Sequence, residues 1–139
     1  MKEVVAYIDG GSRGNPGPAG YGVRIEDHQG GLIAELREAL GVATNNVAEY
    51  RGLLAALAFL VARDHRVARI RSDSELLVRQ MRGEYRVKHP VLVPLHREAA
   101  VLASSLERVT FEHVPRTANT AADRLANLAI DEGALTLEP

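Results

Sequence analysis

The hydrophobic pattern of this chain changes period between residues 40 and 47, and that change limits the fold more than any other feature. Before it, apolar runs of strand length alternate with turn residues: Val4-Val5-Ala6-Tyr7-Ile8, then residues 20–25 and 32–40, with His28-Gln29-Gly30-Gly31 as a hairpin connection. The first run is unbroken, as in a strand buried on both faces. It stops at Asp9-Gly10-Gly11, and Gly14-Asn15-Pro16-Gly17-Pro18 is a dense turn signal. After it, residues 47–62 read VAEYRGLLAALAFLVA, with Leu53, Leu54, Leu57, Leu60 and Val61 at helical spacing. Short strands are expected at residues 67–71 and 109–114. Helices are expected at 74–82, ended by Gly83; at 90–106, with Pro90 in the first turn or Pro94 as a second start; and at 119–132, stopped by Gly133. Residues 133–139 are left as a tail that frays or adds a β contact through Leu135 and Leu137.

The order βββ-α-β-α-α-β-α predicts an α/β fold: one five-stranded mixed sheet, three strands antiparallel and then two parallel, with helices on both faces. Residues 1–139 are expected to form one domain, and 46% hydrophobic residues are enough for a core and exclude a disordered chain. Zero Cys excludes disulfides, thiolate metal sites and Cys nucleophiles. No apolar run approaches the ~20 residues of a membrane helix, and no cationic, apolar leader opens the sequence. A cytoplasmic protein without a membrane partner is the expectation. With no Cys and no obvious exposed apolar stripe, so is a monomer. Seventeen Lys and Arg against eighteen Asp and Glu give a net charge of −1, so positive charge for a nucleic-acid partner would have to be local.

In sheets of this kind ligands sit beyond the carboxyl ends of the strands. Four acids fall at such places. Asp9 closes the first strand and Asp73 the fourth; Glu49 and Asp123 lie in the first turns of the first and last long helices. Each has an ordinary reading. Asp9-Gly10 makes a turn, Asn46 caps a helix with Glu49 reaching back, Asp73 caps the next helix, and Asp123 favours a helix dipole. If all four converge, their mutual repulsion makes full ionisation costly. A hard cation, Mg²⁺ or Mn²⁺, relieves it, and two such ions about 4 Å apart suit in-line phosphodiester cleavage.

The motifs that carry these acids resemble those of type 1 ribonucleases H. They are Tyr7-Ile8-Asp9-Gly10-Gly11-Ser12 with Gly14-Asn15-Pro16-Gly17-Pro18; Thr44-Asn45-Asn46-Val47-Ala48-Glu49; Ser72-Asp73-Ser74-Glu75; and His113-Val114-Pro115-Arg116 with Asn119 and Ala122-Asp123. The ordered set spans residues 7–129 and is most similar to the short, archaeal-like members. The resemblance implies an endonuclease that cuts the RNA strand of RNA–DNA hybrids and leaves 5′-phosphate and 3′-hydroxyl ends. It implies Mg²⁺ or Mn²⁺, two ions per site with substrate bound, held by Asp9, Glu49, Asp73 and Asp123. Asp9 would bridge both ions and Glu49 would also meet a ribose 2′-OH, the group that distinguishes RNA from DNA. Gly10, Gly11, Asn15, Asn46 and Glu75 fall on hybrid-contacting positions, Glu75 replacing the family's usual amide. Thr44 and Asn45 fall on a site that grips a DNA phosphate, with capping as the alternative.

Two departures follow from the same likeness. Longer members carry a basic, Trp-bearing insertion; here residues 81–89 alone join the two helices and there is no Trp. Arg79, Arg82, Tyr85, Arg86, Lys88 and His89 form a basic stretch there, read as a substitute DNA-strand contact with Tyr85 as a stacking surface. Longer members also place a His on a loop before the last acid; here the short loop holds Arg116, expected to stabilise charge at the scissile phosphate, and His113 is read as structural. The remaining alternatives are a nuclease of the same fold that also cuts double-stranded RNA, and a hybrid-binding module that does not cut.

Overall fold

The computed structural model describes residues 2–137, with side chains through Ala134. Strands β1 (Val4–Ser12), β2 (Gly17–Glu26) and β3 (Leu32–Ala43) form the antiparallel meander, and α1 (Asn45–Ala62) follows. Then come β4 (Val67–Ser72), α2 (Glu75–Met81), α3 (Leu92–Ser104), β5 (Arg108–His113), a 3₁₀ turn (Arg116–Ala118) and α4 (Thr120–Leu137). The sheet order is β3-β2-β1-β4-β5; β1 runs antiparallel to β2 and parallel to β4, and β4 parallel to β5. The expected mixed sheet is present. No helix among the described residues is long and apolar enough to cross a membrane.

Strand alternation sorts β1 by face. Val4, Ala6 and Ile8 are buried and pack with Tyr50, Leu53, Leu57 and Leu60 of α1 in the main core. Each such leucine contributes about 1.5–3 kcal/mol. Tyr7 and Asp9 therefore face the other side, where α4 crosses β2, β1 and β3. Helices cover both faces. Gly22 lets α4 lie close, since a Cβ there would overlap Ala122 O and Ala126 N.

Several expected boundaries move. Asp9 does not close β1: the strand runs on to Ser12, with Asp9 paired to Gly22 and Gly10 to Tyr21. Gly10 and Gly11 are thus strand residues rather than a turn. Gly10 lacks a Cβ because α1 passes directly over it, where a methyl would overlap Ala48 C and Glu49 N. Asn46 is not the cap of α1; Thr44 is, its hydroxyl accepting from Val47 N at 3.2 Å. Glu49 consequently lies beyond the first turn and does not reach back. Asp73 is not the cap of α2; Ser74 Oγ accepts from Leu77 N at 3.2 Å. Gly133 does not stop α4, which continues to Leu137, so the backbone of the expected tail is helical through that residue. A Cβ at Gly133 would sit 2.6 Å from Ala39 Cβ, so this glycine serves close packing on β3. Residues 138 and 139 lie outside the described residues.

Candidate active site

Asp9, Glu49, Asp73 and Asp123 line one cleft of about 390 Å³ together with Arg116 and Arg13. Four separate elements deliver the acids. Sheet pairing fixes Asp9 within β1. Close passage over Gly10 brings in Glu49. The parallel pairing of Ile8 with Ser72 sets Asp73 one residue beyond β4. Asp123 comes from the first turn of α4.

Asp9 is the electrostatic hub. Burial above all, then the charge of Asp73, a hydrogen bond with Asp123, and the charges of Asp123 and Glu49 push its carboxyl up to about 8. Glu49 is pushed up to about 7, mainly by burial and then by Asp73; a Ser74 hydrogen bond and the Arg116 charge oppose the rise. Ser74 thus caps α2 and steadies Glu49. Tyr50 beside it donates to Gln80 Oε1 at 2.6 Å, and its phenol is raised, mainly by burial and then by Glu49.

The donor set suits a hard divalent cation. All four side chains are carboxylates, and their neighbours' charges add to burial in disfavouring the ionised forms of Asp9 and Glu49. Among the described residues no three His, Cys, Asp or Glu side chains stand close enough together to hold a metal ion by themselves. An open set of oxygens is what Mg²⁺ accepts, since it keeps several waters and takes remaining ligands from substrate phosphates rather than from an all-protein cage.

The other sequence-expected residues divide into groups. Gly10, Gly11, Asn45 and Asn46 line the acid cleft. Asn15, Thr44 and Asn46 line a neighbouring pocket of about 160 Å³ with His89 and Leu92. Asn15 and Asn45 also hold the backbone together: Asn15 Oδ1 accepts from Asn45 N at 3.1 Å, and Asn45 Oδ1 from Ser12 N at 2.8 Å. Their carbonyl oxygens are thereby engaged within the protein. Glu75, Tyr85, Arg86 and Lys88 line neither pocket. Glu75 is paired with Arg79 at 2.9 Å, and Arg79 stacks over Tyr85 at 5.3 Å and pairs with Glu84. Arg82 donates to Phe111 O at 2.9 Å. Of the basic stretch, Arg86 and Lys88 make no ion pair among the described residues. His113 is exposed at the end of β5 and does not line the cleft.

Sequence reasoning missed Arg13 and Asn127. Arg13 Nη1 bonds Asp131 Oδ1 at 2.6 Å, tying the β1–β2 turn to α4. Asn127 Nδ2 donates to Asp123 O at 3.0 Å and, more weakly, to its Oδ1 at 3.4 Å. The spacing of Asn127, four residues after Asp123 on one helix, is a signal that was present in the sequence; nothing comparable marks Arg13.

Comparison with known proteins gives a consistent picture. A family model described as reverse transcriptase-like matches residues 7–129. A protein of Mycobacterium tuberculosis named as bifunctional is 52% identical over 134 residues, which cover 95% of this chain and 36% of that protein. The chain therefore spans about a third of the length of the first relatives it matches. The crystal structure of RNase H1 from Halobacterium salinarum superposes with a TM-score of 0.90 at 40% identity, covering 94% of this chain and 98% of that one. An RNase H1 designated LC11, in complex with an RNA/DNA hybrid, gives 0.89 at 42% identity, with 94% and 99% covered.

Proposed function

The chain belongs to the type 1 ribonuclease H family, and from that premise we propose that it hydrolyses the RNA strand of RNA–DNA hybrids, leaving 5′-phosphate and 3′-hydroxyl ends. The observation that carries the reading is the convergence of four carboxylates from four elements on one open cleft, with Asp9 influenced by the other three. Asp9, Glu49, Asp73 and Asp123 would hold Mg²⁺ or Mn²⁺, two ions when substrate is bound. When bound, the ions supply a more acidic water and stabilise charge on the phosphoryl and leaving oxygens.

The chain's own residues supply binding and orientation. Glu49, on the wall formed by α1, would accept from a ribose 2′-OH, a contact DNA lacks. Asn46 lines both the acid cleft and the Thr44 pocket, so it joins the surface for the cut strand to that for its partner. Arg116 stays protonated and cannot act as a base. At the cleft it stabilises negative charge developing on the scissile phosphate and favours release of the charged product. Arg86 and Lys88 supply phosphate contacts to the DNA strand in place of the missing insertion, beside the Tyr85 ring.

The test is a gel assay with end-labelled hybrid, double-stranded RNA, double-stranded DNA and single-stranded RNA, each with Mg²⁺, Mn²⁺ or EDTA. Cation-dependent cutting confined to the hybrid's RNA strand is the expected result. Equal cutting of double-stranded RNA would make the protein a broader A-form nuclease. Hybrid binding without cutting under either cation would overturn the proposal.

A further inference from the structure

Asn119 stands immediately before α4, in the position where an Asn ordinarily caps the helix by accepting a bond from one of its first amides. It does not do so. Its backbone, at φ −126° and ψ 27°, lies outside the extended region usual for a cap. Its side chain is turned to the sheet, where Nδ2 donates to Ile8 O at 2.9 Å across 111 positions of sequence. The residue is 1% exposed, and its Oδ1 has no hydrogen-bond donor among the described residues. An orphaned buried oxygen is costly, and the same amide pointed at its own helix would satisfy it.

What the arrangement secures is a short path between two acids. Ile8 precedes Asp9 in β1. The Asn119 carbonyl accepts from Asp123 N at 3.1 Å. One residue thus joins the backbone beside Asp9 to the backbone of Asp123, and both acids line the same cleft. We propose that Asn119 is a positioning residue: its bond to Ile8 O sets the spacing of Asp9 and Asp123, and through it the cleft's affinity for a divalent cation. The inference rests on the functional reading above only in that these carboxylates hold a cation.

Asn119→Ser removes the bond to Ile8 O, because a serine hydroxyl is too short to reach it, and it costs no helix cap, since the Asn119 side chain makes none. Mn²⁺ binding is measured on substrate-free protein by the electron paramagnetic resonance of free Mn²⁺, beside Ile25→Val, a core change away from the cleft that also lowers stability. The midpoint for Mn²⁺ is expected to rise about 10–100-fold in Asn119→Ser, the usual effect of losing a partner that orients a ligand, with kcat falling and KM for hybrid changing less than about twofold. Ile25→Val should leave the midpoint in place. If Asn119→Ser does not fold, Asn119→Thr, whose hydroxyl is equally short, takes its place. Equal midpoints for the Asn119 variant and wild type would overturn the inference alone, as would an equal shift in Ile25→Val. Wild type that binds no Mn²⁺ would overturn the cation reading and this inference with it.

Discussion

In the fold without cations, Asp9 carries a proton over much of the neutral range, because its carboxyl sits at about 8 against an ordinary value of 3.8. The unfolded chain releases that proton near pH 4. This contribution to stability is therefore complete below about pH 4 and is lost as pH rises through about 8. Glu49, at about 7, acts in the same direction. In EDTA, Asp9→Asn should raise Tm at pH 8 by at least about 2 °C, the effect of well under 1 kcal/mol in a domain of this size, and the gain should shrink towards pH 4. Scanning calorimetry at the two pH values checks it; an unchanged or lower Tm at pH 8 contradicts it. The loop before α4 yields a second prediction. Arg116 lines the acid cleft and acts on Glu49, whereas His113 lies outside it. Arg116→Ala should lower kcat/KM by more than about tenfold, ~1.4 kcal/mol of transition-state stabilisation, with an unchanged circular dichroism spectrum; His113→Ala should lose less than about threefold. The reverse ranking in steady-state kinetics would remove Arg116 from the mechanism.

Helix starts decide how the elements meet. Thr44, Asn45 and Asn46 are consecutive candidate caps, and composition does not choose among them. Packing does: Ser12 N takes Asn45 Oδ1, and the Thr44 hydroxyl is left to cap. That choice moves Glu49 off the first turn and turns it from a capping partner into a wall of the cleft. Thr44→Ala should cost about 1 kcal/mol, seen as a shift in the urea midpoint, and Thr44→Ser should restore it. A Thr44→Ala variant as stable as wild type would show that the cap contributes nothing. The four acids were legible in the sequence because each lies next to a change of hydrophobic pattern, beside small or capping residues; Asp73 and Asp123 do stand at element ends, whereas Asp9 and Glu49 lie inside β1 and α1. The extension of β1 past Asp9 was not, because glycines read as turn residues when their real use is close approach, at Gly10 under α1 and at Gly133 against Ala39. Asn119 was legible only as part of a motif, since its bond to Ile8 joins residues 111 apart.

Across the whole molecule the charges nearly cancel, at −1, so the proposed binding of a hybrid would depend on a few local cations. Arg79 and Arg82 are engaged with Glu75, Glu84 and Phe111 O, which leaves Arg86 and Lys88 as the cations of that segment for the DNA strand. Arg86→Ala/Lys88→Ala should raise KM with kcat within about twofold, and should reduce the slope of log KM against log salt by ~1 for each phosphate no longer neutralised. An unchanged slope would return residues 81–89 to a plain connector. The central claim concerns the cleft those cations serve: one carboxylate, Asp9, joins three others into a single cation-dependent hydrolytic site. The most direct measurement is the initial rate of RNA-strand cleavage in a hybrid at saturating Mg²⁺ by Asp9→Asn and by wild type. The account predicts a fall of at least about 10³-fold, ~4 kcal/mol, in a variant that folds and binds hybrid. A variant that keeps cutting within about tenfold of wild type would contradict it.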